Sequence, residues 1–319
     1  PYTTLFRSVI TTIADGFSMV LWRPFVVAIP LLLDAWYWLG WKVELGAFAV
    51  QLRQWLIDAG VSRTDGNLVR VARFSQWDAS TMPSFFFVPS LLADVNPSKL
   101  YMARPKEIFS TSSWRIDLLI LTGLILTGVA LSAAFLVMLA NAAREREQSA
   151  GQFLRTTLKV SIRLLGAIGL AAIAVAVLFG PLVGAWAATS AAGADLGPIF
   201  ALLALVLGIA LFAMFWFAPD AIVMSDAGPI EAVKRSASVV RSFFWQSLGF
   251  LAASTIISIG LGDLWLRLAK SAPGLLIGVI ANALFSSGLA IASFLFYSSR
   301  VQRSRYATKS NTGASRTAR

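Results

Sequence analysis

LLILTGLILTGVALSAAFLVMLA (residues 118–140) runs for 23 residues without a charged side chain. About 20 predominantly apolar residues in a helix cross the hydrocarbon core of a bilayer, so the stretch reads as a membrane span. Five further segments are read the same way: residues 24–41, 164–188, 198–218, 242–262 and 271–299. The whole chain agrees, since 57% of its 319 residues are hydrophobic and 13% are charged, against about 25% charged in soluble domains. The expected fold is an all-α integral membrane protein. Its single membrane domain (residues 9–299) has about six transmembrane helices arranged as three hairpins, with amphipathic interfacial helices between them.

The chain contains no cysteine and no histidine, which excludes disulfide frameworks, thiol nucleophiles, imidazole bases and the commonest metal ligands. No P-loop, nucleophile elbow or dinucleotide fingerprint occurs, and no cofactor, metal or catalytic residue is expected. The net charge of +11 fits cytoplasmic loops facing anionic lipid better than nucleic acid. Five lysines and arginines fall in residues 142–163, three in 220–241, and six from Arg300 to the end. By the positive-inside rule these face the cytoplasm, with both termini. Residues 42–115 then form an external insert, and residues 300–319 a basic, disordered cytoplasmic tail. Tryptophans agree: Trp36, Trp38, Trp41 and Trp186 fall near outer ends, Trp22, Trp216 and Trp245 near inner ends.

The insert is too long for a structureless loop. The run VELGAFAVQLRQWLIDA (residues 43–59) and SFFFVPSLL (residues 84–92) are expected to be short elements lying on the outer leaflet. Prolines at 83, 89, 97 and 105 argue against a large sheet. Two inner connections share a design, each a surface helix expected to feed directly into the next span. In GQFLRTTLKVSIRLLG (residues 151–166), Leu154, Leu158 and Ile162 alternate with Arg155, Lys159 and Arg163 at four-residue spacing, which is the pattern of a surface helix on anionic lipid. In the second connection Pro229 suits the first helical position and Glu231 the first turn. Ile230, Val233, Val240 and Phe243 are the expected apolar face, and Lys234, Arg235 and Arg241 point to headgroups. The six cations of these two helices are the expected headgroup contacts, and the bilayer is the expected partner, with a further membrane protein as a second.

Ionisable residues within spans are functional candidates because they are costly there. Asp34 lies four residues after Pro30. Either the two form a polar notch for a proton, cation or amine, or Asp34 hydrogen-bonds a neighbouring element. Asp263 and Arg267 are spaced for a structural ion pair on one helix face. Asp220 and Asp226 are read as helix caps, and Gly274 with Gly278 as a close-packing pair.

The segment FAPDAIVMSDAGPIEAVKRSASVVRSFFWQSLGFL (residues 217–251) resembles a group of bacterial membrane proteins. That group includes the membrane domain attached to some glycerophosphodiester phosphodiesterases. The resemblance rests on Asp226, Gly228, Glu231, Ala232, Lys234, Arg235, Ser236, Phe244 and Trp245. WRPFVVAIPLLLDAWYWLG (residues 22–40) and VPSLL (residues 88–92) are similar in kind. It implies a six-helix membrane module at the inner membrane of a bacterial cell and carries no chemistry. The expected role is structural, assembly or lipid-interacting. A transporter or permease with its site at Asp34 is the alternative.

The first eight residues, PYTTLFRS, can be written as codons that match a sequencing adapter, so residues 1–8 are expected to be an artefact. Residues 9–23 then read as a third surface helix.

Overall fold

The computed structural model describes residues 2–58, 77–93, 107–193 and 196–317. Pro97 and Pro105 lie outside them, as does Pro1. For residues 2–8 and 303–317 the backbone alone is described. The structure is about 84% helical. Ten α-helices occur among the described residues: α1 (Tyr2–Trp22), α2 (Ala28–Leu39), α3 (Gly46–Asp58), α4 (Trp114–Ala143), α5 (Ala150–Ala191), α6 (Gly197–Trp216), α7 (Ala218–Ser225), α8 (Pro229–Ser242), α9 (Phe244–Leu268) and α10 (Ala272–Thr317). Five helical stretches are long and apolar enough to cross a membrane, and a sixth is counted if α1 and α2 are taken together.

The apolar segments lie where their hydropathy places them, but several boundaries differ. The first span is interrupted: Arg23 leaves helical geometry (φ −136°, ψ 65°), and Pro24 opens a 3₁₀ turn (Pro24–Val27) before α2. Proline has no N–H to continue the ladder of α1 and disfavours helical geometry in the residue before it. The expected surface helix at residues 151–163 is not a separate element. It is the first third of α5, whose 42 residues span about 63 Å. A change from basic to apolar composition does not end a helix, and no break separates the two halves. Ser149 starts it with a capping box: its hydroxyl accepts from Gln152 N–H, and Gln152 reaches back to Ser149 N–H. Likewise α10 continues to Thr317, beyond the point where the tail was expected to begin.

By Cα packing the chain divides into two units: Pro1–Trp22, Leu136–Ile257 and Gly288–Arg319 in the first, Arg23–Phe135 and Ser258–Ser287 in the second. In the second unit, strands β1 (Lys42–Glu44) and β2 (Ile108–Ser110) pair in parallel, Lys42 opposite Ile108. Two carboxylates, the half-buried Asp78 and the buried Asp117, tie the insert together by accepting backbone N–H groups. Asp78 accepts from Val43 N–H (3.2 Å) and Ser80 N–H (3.0 Å). Asp117 accepts from Phe48 N–H (2.9 Å) and the Thr111 hydroxyl. SFFFVPSLL was expected on a membrane surface, yet Val88, Leu91 and Leu92 are buried. The apolar run packs against protein, and the short loop closes over the Asp34 side chain. Gly128 of α4 allows the approach, since a Cβ there would lie 2.8 Å from Pro83 Cα.

In the first unit, α6 breaks at Phe217, whose ring is fully buried against Phe250, Phe296 and Tyr297. Phe217 N–H, freed at the break, donates to Ser236 Oγ (3.1 Å). The helix pair α1 and α10 meets at Gly16 and Gly288 without room for a side chain. By contrast, α6 buries none of its residues, and its leucines and isoleucines face outward.

Candidate functional site

The polar residues of the first unit gather where α5, α7, α8 and α10 meet. Pro229 occupies the first turn of α8 behind Gly228, as expected, with Glu231 in the same turn. The face of α8 buried against protein is Ala232, Ser236 and Val239; on the expected apolar face, which a surface helix turns to the membrane, Ile230 is exposed. Pro229 packs closely on α5, where a Cβ on Gly166 would lie 2.7 Å from its ring.

Asp226 ends α7 in the left-handed region (φ 50°, ψ 33°), a conformation that aspartate tolerates better than most residues. Its carboxylate pairs with Lys159 (2.7 Å) and with Arg163 of α5. Arg144 donates to the Val223 and Met224 carbonyls at the same helix end, where a cation also offsets the helix dipole. Asp220 is buried in the first turn of α7 and accepts from the Ser293 hydroxyl (2.5 Å). Asp226 is the C-cap of α7 and adds an ion-pair corner there, whereas Asp220 is not a cap and makes a buried hydrogen bond instead.

The Lys159 hydrogen bond, joined by Arg163, holds the Asp226 carboxyl below the usual carboxylate range. A lowered folded-state pKa stabilises above the unfolded value of about 3.9 and is lost as pH falls through the lowered one. The pair is solvent-exposed, with Asp226 at 68%, so its contribution is small. Asp226→Asn keeps the backbone conformation and removes the charge. Its melting temperature in detergent should sit slightly below wild type at pH 7 and converge with it below about pH 4. A constant difference down to pH 3 would show that the ion pair is not the source.

The six basic residues marked in the sequence separate into two groups. Lys159, Arg163 and Arg235 are engaged, the last with Glu231 (Nε to Oε1, 2.9 Å). Arg155, Lys234 and Arg241 are exposed and make no ion pair among the described residues. Arg235 also lines a cavity of about 280 Å³ together with Ser238, Val239, Ser242, Phe243, Arg300 and Val301. Arg300 is 3% exposed, and its guanidinium lies over the rings of Phe296 (4.8 Å) and Phe243 (5.5 Å). Arg300 was counted only as the start of the tail. Its position directly after a 29-residue uncharged run was the available signal.

In the second unit Asp34 is fully buried. Its carboxylate accepts from the Ser90 hydroxyl, Leu91 N–H (3.0 Å) and Leu92 N–H (3.0 Å). It is a hydrogen-bond partner, of a loop rather than of a helix, and its acceptor positions are occupied by the insert. Asp263 and Arg267 form a pair one turn apart (2.7 Å), 61% and 74% exposed. Gly278 packs against the Trp265 carbonyl of α9, with 3.0 Å to a built Cβ.

Residues 114–301, which include the cavity and the ion-pair corner, match the model of a family described as Domain of unknown function (DUF7847). The chain belongs to that family. No curated protein and no solved structure matches it.

Proposed function

We propose that the chain is a multi-pass inner-membrane protein with six crossings and both termini in the cytoplasm, the first crossing being the interrupted α1–α2 pair. In this reading its basic inner end engages anionic phospholipid headgroups. One observation carries it. An outward surface of uncharged leucine, isoleucine and valine on α5 and α6 adjoins a corner that presents Arg155, Lys234 and Arg241 to the outside. A surface that apolar is stable in hydrocarbon and not in water. The cations then fall at the level of lipid phosphates. The 63 Å length of α5 is about twice the 30 Å hydrocarbon core, so its basic third stands beyond the core as a continuation of the span and not as a helix lying flat. The hydrogen bonds at Asp34 favour a structural role there over a transport site.

The test uses the exposed cations, because Lys159 and Arg163 are already paired with Asp226. The protein is reconstituted into phosphatidylcholine vesicles containing brominated phosphatidylglycerol, which quenches nearby tryptophan such as the 73%-exposed Trp245. The triple variant R155Q/K234Q/R241Q should lose most of the excess quenching that marks enrichment of anionic lipid. Each cation near an anionic surface contributes about 1 kcal/mol. Quenching equal to wild type would refute the headgroup role.

A further inference from the structure

One buried titratable group serves neither the headgroup reading nor the ion-pair corner. Asp220 lies just past the break between α6 and α7 and is 5% exposed. Among the described residues it has one hydrogen-bond donor, the Ser293 hydroxyl of α10. Asp34, also buried, receives the Ser90 hydroxyl and two backbone N–H groups. Taking a carboxylate out of water is costly unless donors or a cation replace the water.

The cations of the surrounding elements are placed elsewhere. α6 has no charged residue. On α5, Lys159 and Arg163 pair with Asp226 at the far end of α7, where Arg144 also binds carbonyl groups, and Arg155 is exposed. On α8, Arg235 is held by Glu231 and Tyr297, and Lys234 and Arg241 are exposed. On α10, Tyr297 shares a hydrogen bond with Ser225 (3.2 Å), and the Arg300 guanidinium lies over Phe296 and Phe243. α9 carries no ionisable group before Asp263.

What α9 brings is a hydroxyl. Phe250 of α9 stacks on Phe296 of α10 (4.8 Å). One turn from that pair, towards the turn joining the two helices, lie Ser254 on α9 and Ser293 on α10. Ser254 is on the buried face of α9, and its hydroxyl has no hydrogen-bond partner. A hydroxyl accepts as well as donates, so it can take the hydrogen bond of an acid O–H. Hydroxyls and aromatic rings suit a neutral carboxylic acid and not an anion.

We propose that Asp220 is a proton-binding site, whose carboxyl is kept as the neutral acid at neutral pH and in that form holds α7 on α10. Ser293 donates to one oxygen and the bound proton sits on the other. Releasing the proton to water leaves an anion beside the stacked rings of Phe217, Phe250 and Phe296, and weakens the contact. The site lies within the first unit and does not rest on the headgroup reading.

The full chain in an uncharged detergent is unfolded thermally from about pH 5 to about pH 9, as wild type and as D220N, which has the shape of the neutral acid and does not ionise. In the unfolded chain the carboxyl loses its proton near about pH 4. A proton retained only in the folded state therefore lowers the folding equilibrium by about tenfold per pH unit above that value, until the site empties. Wild type should lose stability relative to D220N as pH rises. The infrared spectrum of wild type minus D220N at neutral pH should show the C=O stretch of a protonated carboxyl. S293A removes the donor and should move that band to higher wavenumber, which keeps the test open should D220N fail to fold. The R155Q/K234Q/R241Q variant should keep the band, whatever its effect on anionic lipid. A stability gap that is constant or opens in favour of wild type as pH rises overturns the proposal, as does a protonated-carboxyl band that is missing from the difference spectrum or unmoved in S293A.

Discussion

Asp34→Ala should destabilise the protein by about 2–4 kcal/mol, because it leaves the buried Leu91 N–H without its acceptor and weakens the hydrogen bonding of Leu92 N–H and the Ser90 hydroxyl. The lost acceptor serves the Ser90 hydroxyl and the backbone N–H groups of Leu91 and Leu92, and both leucines are only 6% exposed. Leu92 N–H keeps Ser90 Oγ as a second acceptor (3.2 Å), whereas Leu91 N–H cannot rotate to another partner, and an unsatisfied buried group costs about 1–3 kcal/mol. In a protein of this size that is a fall of order 10 °C in the thermal midpoint. The loop at residues 88–93 should also become sensitive to limited proteolysis before the rest of the second unit. Asp34→Asn keeps one acceptor oxygen and should fall between wild type and alanine. An alanine variant with an unchanged midpoint and a protected loop would show that the carboxylate does not hold the insert.

The second large effect is expected where α1 meets α10. A Cβ at Gly16 would lie 2.4 Å from the Gly288 carbonyl oxygen and 2.8 Å from Ala292 N, and one at Gly288 would lie 2.3 Å from Phe17 Cδ1. Backbone atoms are on the receiving side at Gly16, so relief requires the helices to separate. Overpacking of this kind costs about 1–3 kcal/mol and more where backbone must move. Gly16→Leu should therefore lower the midpoint sharply, and Gly16→Ala detectably. Gly184 and Gly249 are built-in controls, since a Cβ at either meets nothing within 4 Å. Alanine at those two positions should be neutral or stabilising by up to about 1 kcal/mol through helix propensity. The contrast in sign between the sites is the test. Equal effects at Gly16 and Gly184 would mean that α1 does not pack on α10 as described.

Neither of these sites was fully legible in the sequence, and the reason is the same for both. The partners of Asp34 are 56 to 58 residues away, and Gly288 is 272 residues from Gly16. Local periodicity carries no information about such pairings. Asp34 stood out because a charge in an apolar run is costly, but nothing near it indicated Ser90. The apolar helices were legible because hydropathy reads the solvent of each segment directly. The start of α8 was legible because Pro229 and Glu231 act within one turn. The start of α5 is marked in the sequence by the capping box of Ser149 and Gln152, and its basic third runs directly into the apolar part. The protein-facing side of α8, Ala232, Ser236 and Val239, was not legible, because its small residues carry no hydropathy signal and their partners are distant in sequence.

The absence of cysteine makes the central claim, an α5–α6 hairpin crossing the membrane with its basic end inside, directly testable. Single cysteines are placed at Lys234 on α8 and at Ala192 in the turn that joins α5 to α6, both exposed. Each variant is expressed in bacterial cells and treated with a membrane-impermeant maleimide, before and after the inner membrane is opened. The account predicts that the cysteine at 192 reacts in intact spheroplasts and that the cysteine at 234 reacts only after lysis. Labelling of both positions from the same side, or of 234 in intact spheroplasts, would contradict it.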